Sequence, residues 1–377
     1  GIKGMEVSFE QRPASHLTFL LDISGSMAYA SADGGTKMSR LRDAAKVFVD
    51  TVVRPETEDL VSVSLIPYSQ HVNAGPRIFK EYNMVGAQYT SILSGGSISG
   101  SQDPNNVGTV NATQAAKNKN KPHNWSHCVE MADTEFDVVP ISMTKQYAQM
   151  QHFQWNYDGS NSLTDTICPR YNYERIRAFS QNKNQLNNQI DDLQPRAGTQ
   201  IFMGMKWGAA MLDPAFQPVV NKHIAKGWSD AAFAGRPVAY NDPETLKTVI
   251  LMTDGINSTA ARITDEHYDT KSKRINWRDY NLNYFLSHYV NYNNRSEYYY
   301  QKYSAAQGDA LLDNICDASK AAGIVIWSIG FEVDDHGADV MRNCASSPAH
   351  FFRVEGVEIS EAFRAIARQI NQLRLTN

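Results

Sequence analysis

The residues best suited to chemistry lie near the start of this 377-residue chain. Asp22, Ser24 and Ser26 occupy alternate positions in DISGSM, which begins at the end of the apolar run LTFLLDI at 17–23. A carboxylate and two hydroxyls are hard oxygen ligands, which suit Mg²⁺, Mn²⁺ or Ca²⁺ better than zinc or copper. Taken alone the spacing is weak evidence, because a solvated strand-to-helix loop uses the same residue types as helix caps.

Two later loops carry residue types that would complete such a site. Thr199 lies in AGTQI, ahead of an apolar helical segment, and Asp254 lies in TDG at the end of the run VILMT. Each has an ordinary alternative role, a helix N-cap for Thr199 and a turn for Asp254. Ligands of an α/β sheet bind at the carboxyl ends of its strands, and all three loops are expected at that edge. Together they favour one divalent-cation site.

The elements that must position these loops follow from the hydrophobic pattern. Strand-length apolar runs alternate with segments whose apolar residues recur at helical spacing, which indicates an α/β fold. Strands are predicted at 17–23, 60–66, 248–253, 324–329 and 350–354, and helices at 38–53, 201–212, 305–322 and 359–375. Pro67 is expected to end the second strand, because proline lacks the N–H that a sheet requires.

One core with two insertions is the predicted domain organisation. The core comprises 15–70, 185–255 and 305–377. The insertion at 71–184 is rich in Asn, Gly, Ser and Gln, and its length indicates local folding, as a candidate disulfide-bonded subdomain. The insertion at 256–304 contains nine of the chain's 18 tyrosines.

Four cysteines lie far apart, without the spacing of a zinc finger. They allow three disulfide connectivities, and sequential pairing is favoured because each pair lies within one local segment. The pairs are Cys128–Cys168 and Cys316–Cys344. Such bridges are typical of an extracytoplasmic protein, and the alternative is four buried thiols in a cytosolic one.

Composition and missing motifs exclude several classes of function. A net charge of −4 without a dense Lys/Arg run gives no indication of nucleic-acid binding. No apolar stretch approaches the length needed to span a bilayer. Neither HExxH nor a GxSxG elbow is present, so a zinc peptidase or a serine hydrolase is not favoured.

DISGSM, then AGT, then a strand ending in TDG resembles the metal-ion-dependent adhesion site (MIDAS) of von Willebrand factor A domains. The resemblance implies a doubly wound, Rossmann-like, mostly parallel sheet with one antiparallel edge strand. It also implies one divalent cation, Mg²⁺ before Mn²⁺ or Ca²⁺, held by Asp22, Ser24, Ser26, Thr199 and Asp254.

A narrower resemblance is to TadG-type proteins of the bacterial tight-adherence (Flp) pilus machinery. It is carried by the long Cys-bearing insertion, the Tyr-rich segment after TDG, GIVIWSIGFEV, NCASSPAHFFRV and the ending ARQINQLRLTN. It implies an extracytoplasmic place in the bacterial cell envelope. An N-terminal membrane anchor, which this sequence lacks, is expected in the full-length protein.

The predicted function is non-catalytic binding of a partner protein. The open metal position would accept an Asp or Glu carboxylate from a pilus or envelope component. The alternatives are a metal-dependent hydrolase and a structural scaffold with a non-functional metal site. Tyr298, Tyr299, Tyr300 and Tyr303 follow the Asp254 loop, so they are candidates for partner binding, although packing as a local cap explains them equally well.

Overall fold

The computed structural model describes residues 13–85 and 122–376. Its strands are β1 (Ala14–Asp22), β2 (Val61–Tyr68), β3 (Asn83–Val85), β4 (Gln146–Ala148), β5 (Arg177–Ser180), β6 (Thr245–Thr253), β7 (Ala260–Ile263), β8 (Tyr299–Tyr303), β9 (Val325–Phe331) and β10 (Phe351–Val354). The main sheet has the order β10-β9-β6-β1-β2-β5. All of its neighbouring strands are parallel except β5, which pairs antiparallel with β2 at the edge.

Helices cover both faces of this sheet. They are α1 (Lys37–Val52), α2 (Gly75–Phe79), α3 (Lys183–Asp192), α4 (Ile201–Ala210), α5 (Gln217–Ala225), α6 (Lys271–Asp279), α7 (Leu282–Tyr289), α8 (Ala305–Ala321), α9 (Asp335–Cys344) and α10 (Glu358–Thr376). One apolar core lies under α1, α3 and α10, and another lies under α4, α8 and α9. This confirms the predicted doubly wound α/β fold with a mostly parallel sheet.

The central strand β1 shows why the sheet must be covered on both sides. Phe19 and Leu21 enter the core under α1, whereas Leu20 enters the core under α4, and all three side chains are fully buried. Successive side chains of a strand point to opposite faces, so an apolar run without polar interruption requires a helix layer on each.

The chain order places a crevice at the end of β1. From β1 the chain crosses through α1 to β2 on one side, whereas β6 pairs with β1 on the other. In open α/β sheets the carboxyl ends of strands at such a switch point form the ligand-binding crevice. Asp22 is the last residue of β1, and Asp254 directly follows β6.

Two predictions about the sheet are wrong in detail. Strand β2 does not stop at Pro67 but continues through Tyr68, and Pro67 lies opposite Leu21 of β1. The strand tolerates Pro67 because β5 pairs with β2 only at Val63 and Leu65. On the β5 side of β2, no described strand therefore needs the N–H that proline lacks. The edge strand β5 itself lies inside the segment predicted as an insertion, so that insertion ends before the strand begins.

The described parts of the two insertions pack against each other. Phe153 and Ile167 of the first share an apolar cluster with Ile263 and Trp277 of the second. Strands β7 and β8 form a small antiparallel sheet within the second insertion. The 71–184 segment therefore shares its core with 256–304, and its residues 86–121 lie outside the described part of the chain.

Both disulfides have the sequential pairing expected from the sequence. Cys128–Cys168 lies in the cluster shared by the insertions, and Cys316–Cys344 joins α8 to the last residue of α9. Within residues 13–85 and 122–376, no helix combines the length and apolar character that crossing a membrane requires.

Candidate metal centre

Asp22 is held rigidly at the end of β1. Its side chain is fully buried. The Ser24 N–H donates to Asp22 Oδ1 at 2.8 Å, and the Thr253 hydroxyl donates to Asp22 Oδ2 at 2.7 Å. The carboxylate of β1 is therefore oriented by its own loop and by the end of the neighbouring strand β6.

Asp254 is joined to the same loop from the other side. The Ser26 hydroxyl donates to Asp254 Oδ1 at 2.7 Å, and the hydroxyl oxygens of Ser24 and Ser26 lie 3.2 Å apart. Asp254 is only 4% exposed. Asp22, Ser24, Ser26 and Asp254 thus form one hydrogen-bonded group, as expected if the loops after β1 and β6 share an edge.

Thr199 lies on the third loop, which is tied to the other two through its backbone. Ala197 accepts a hydrogen bond from the Gly25 N–H at 2.8 Å, and the Thr199 carbonyl accepts one from the Ser258 N–H at 2.8 Å. Thr199 is 7% exposed. In the part of the chain that the structure describes, no hydrogen bond joins the Thr199 side chain to the other four residues.

Electrostatics at this site favour a cation. Burial, and then the negative charge of Asp254, raise the pKa of Asp22 from 3.8 to about 7, against the opposing hydrogen bonds from Ser24 and Thr253. A positive ion between the carboxylates would stabilise both charged forms.

Lys37, the first residue of α1, supplies a positive charge that the sequence analysis missed. Its Nζ lies 3.1 Å from Asp254 Oδ2, and its side chain is 12% exposed. A cation bound by Asp254 must therefore share that carboxylate with an ammonium group. No sequence motif marks this lysine, because the contact joins residues that are 217 positions apart.

The donors fit a hard divalent cation. Two carboxylates and three hydroxyls match the oxygen ligands of Mg²⁺, Mn²⁺ or Ca²⁺. Among residues 13–85 and 122–376, no group of three or more His, Cys, Asp or Glu side chains could hold a metal. A cation at this centre would therefore depend on hydroxyl ligands as well as on the two carboxylates.

A groove of about 680 Å³ opens beside the centre. Gly25 and Gly198, which flank the candidate ligands, form one wall. The insertions supply Trp155, Tyr157 and Tyr299 on the other wall, and the rings of Trp155 and Tyr299 meet edge to face at 4.9 Å. Tyr157 is 90% exposed. A molecule that reached the candidate ligands through this groove would contact aromatic side chains.

The structure separates the four candidate partner-binding tyrosines. Tyr303 is only 2% exposed and packs against Phe202 of α4, so its predicted role at a surface is wrong. It ends β8 on the inward-facing side, where the core excludes a partner. Tyr298 and Tyr300 are partly buried, and Tyr298 packs on the His267 ring at 3.8 Å. Of the four, Tyr299 lines the groove.

No protein-family model matches the chain, and no curated protein matches it in sequence. Solved structures align over nearly all of it at low identity. The vWF domain of the type V pili tip protein Mfa5 from Porphyromonas gingivalis is 13% identical with a TM-score of 0.43, and the alignment covers 96% of each chain. The PilB minor pilin from Streptococcus sanguinis is 13% identical with a TM-score of 0.43, over 98% of this chain and 64% of that one.

The pilus adhesin SpaC from Lactobacillus rhamnosus GG is also 13% identical, with a TM-score of 0.41, over 97% of this chain and 31% of that one. The chain therefore spans less than two thirds of both the PilB and the SpaC structure. The candidate site is defined by contacts within this chain.

Proposed function

We propose that this chain is a non-catalytic protein-binding module of the von Willebrand factor A type. It holds one divalent cation, Mg²⁺ by preference, with Asp22, Ser24, Ser26, Thr199 and Asp254, and it binds a carboxylate of a partner protein at that cation. The observation that carries the proposal is the junction of Asp22 and Asp254, which the serine loop links at the switch point of the sheet.

Charge balance explains why the partner would present a carboxylate. Asp22 and Asp254 supply two negative charges, and Lys37 lies against Asp254 with one positive charge. A bound Mg²⁺ would then leave the centre with a net positive charge. An Asp or Glu side chain from outside would neutralise it, because the electrostatic attraction is strong where water is largely excluded.

The groove supplies the remaining contact surface. Trp155 and Tyr157 line it beside the centre. Large aromatic side chains bury much apolar area at small conformational cost, which suits recognition of a protein segment. The partner segment would place its acidic residue at the metal and lie along this aromatic wall.

The cell envelope is the proposed setting. Both disulfides support an oxidising compartment outside the cytoplasm. More specifically, we propose a TadG-like role in pilus assembly or surface adhesion, with a membrane anchor in the full-length protein. It rests on the sequence resemblance given above.

Water relaxation of bound Mn²⁺ tests the proposal without knowledge of the partner. Mn²⁺ added to the EDTA-stripped protein should enhance water proton relaxation. N-acetylglutamate should then lower that enhancement by displacing metal-bound water, whereas N-acetylglutamine should not. Asp22→Ala should abolish both effects, and Asp317→Asn, an exposed acid on α8, should keep them.

Two results would contradict the proposal. One is the absence of Mn²⁺ binding, and the other is bound Mn²⁺ that does not respond to the carboxylate. Metal-dependent turnover of p-nitrophenyl phosphate, lost in Asp22→Ala, would instead support the hydrolase alternative.

A further inference from the structure

A basic pocket of about 240 Å³ lies at the β5 edge of the sheet, on different elements from the candidate metal centre. Arg77 of α2, Arg175 just before β5 and Arg177 within β5 line it. His223 and Trp228, from the end of α5 and the turn after it, complete the wall. No carboxylate lies among the described residues that line this basic pocket.

Among the residues that the structure describes, the arginines of the basic pocket contact neutral groups. The Arg77 guanidinium lies over the Trp228 ring, 4.4 Å from its centroid, and Lys80 Nζ lies 4.6 Å from the same centroid. Arg177 donates to the amide oxygens of Gln185 and Gln189 at 3.0 and 2.8 Å. Among the described residues no ion pair neutralises these arginines, and the nearby Glu81 is paired with Lys222 at 2.8 Å.

Arg175 shows the deficit most directly. Its Nε is buried, and no hydrogen bond reaches it in the described structure. Burial, and then the positive charge of Arg77, lower its pKa. A guanidinium beside another cation is unfavourable, and an anion bound next to Arg77 and Arg175 would relieve the repulsion between them.

Another arginine group on the surface has carboxylate partners for two of its members. Arg54 and Arg364 line a shallow depression next to α10. Arg54 lies 3.5 Å from Glu56, and Arg364 lies 3.1 Å from Glu361, so each has a carboxylate of its own. Arg368, which also lines that depression, has no ion pair in the described structure, whereas the basic pocket has three arginines without one.

We propose that the basic pocket binds a tetrahedral oxyanion, a phosphate or sulfate group, between Arg77 and Arg175. Guanidinium groups present forked N–H donors that match the oxygens of such an anion, and charge-assisted hydrogen bonds of this kind are strong. Because the pocket shares no residue with the metal centre, the anion binds with or without a divalent cation.

Calorimetric titration with inorganic phosphate in EDTA, at constant ionic strength, tests this proposal. Wild type should bind one phosphate per chain, and Arg77→Gln and Arg175→Gln should each weaken binding by about tenfold or more. Arg175→Lys keeps the charge but loses the fork, so it should also bind more weakly. Arg364→Gln, which removes a paired arginine elsewhere, should bind as wild type does.

Further probes distinguish the sources of the anion. Glucose 6-phosphate that binds as well as inorganic phosphate would assign the site to a phosphorylated ligand, whereas phosphate alone would assign it to the free anion. Inorganic sulfate that binds best would indicate a sulfated ligand. Each of these results supports the proposal if the two glutamine variants lose the binding.

Three results would overturn it. They are the absence of binding beyond a chloride control, equal binding by wild type and both glutamine variants, and acetate binding as tight as phosphate binding. The last result would identify a carboxylate site. Circular dichroism of each variant checks that a lost signal does not arise from unfolding.

Discussion

In EDTA, the wild-type protein should lose stability relative to Asp22→Asn as the pH rises from about 4 to about 7. The folded-state pKa of Asp22 is raised from 3.8 to about 7 by burial and by Asp254. Between these values the folded protein keeps a proton that the unfolded chain releases, so its stability falls with rising pH. Asparagine carries no charge at any pH and removes this dependence.

The size of the effect follows from the same shift. At about 1.36 kcal/mol per pKa unit, the shift lowers the free energy of unfolding of the wild type by about 4 kcal/mol between pH 4 and pH 8. The asparagine side chain can still accept the Ser24 N–H, and the Thr253 hydroxyl can turn to accept from its amide. The variant should therefore be as stable as the wild type near pH 4 and more stable than the wild type near pH 8.

Urea unfolding at a series of pH values provides the assay. Buried histidines with lowered pKa, such as His16 and His71, stabilise the fold increasingly as the pH rises, but both proteins share them. The difference between wild type and variant therefore isolates Asp22. Mg²⁺ at 100 times its dissociation constant should raise the free energy of unfolding of the wild type by about 2.7 kcal/mol and should leave that of the variant unchanged. A difference that stays constant with pH would refute the reasoning.

Other substitutions test further parts of the account. Titration calorimetry should show that Lys37→Met binds Mg²⁺ about tenfold more tightly than the wild type, because the substitution removes a positive charge near the cation. Lys37→Arg keeps that charge and should bind Mg²⁺ as the wild type does. Tyr303→Ala should cost about 3–5 kcal/mol of unfolding free energy in urea, because it leaves a cavity, whereas Tyr292→Ala, 79% exposed, should change it by less than about 0.5 kcal/mol. Replacing both Cys128 and Cys168 with Ser opens a loop whose ends are 40 residues apart in sequence. This should lower the free energy of unfolding by about 4 kcal/mol, seen as a lower urea midpoint, and an unchanged midpoint would contradict the prediction.

The sequence predicted the parts of the fold whose hydrophobic pattern is continuous. The periodic segment at 38–53 is α1, one residue from its predicted bounds, and the apolar run at 248–253 lies within β6. Strand β5 was missed because its four residues carry no alternating pattern and form a strand by pairing with β2. The sheet of β7 and β8 was missed because its stability comes from packing against the other insertion.

The site was predictable where residue type and strand position agree. Asp22, Ser24 and Ser26 stand in one short segment, and Asp254 directly follows a strand, so their meeting follows from the topology of a parallel sheet. Lys37 gave no such signal, because a lysine at a helix start usually lies in solvent. Tyrosine content alone also could not distinguish the buried Tyr303 from the tyrosines that line the groove. Whether a strand side chain points into the core or outward depends on the register of the strand.

Titration calorimetry of Mg²⁺ into the EDTA-stripped protein tests the central claim most directly. The account predicts one bound Mg²⁺ per wild-type chain, no binding by Asp22→Ala, and unchanged binding by Asp317→Asn, whose side chain is 77% exposed on α8. Binding that survives in Asp22→Ala, or no binding of Mg²⁺, Mn²⁺ or Ca²⁺ by the wild type, would contradict a metal centre built on Asp22 and Asp254.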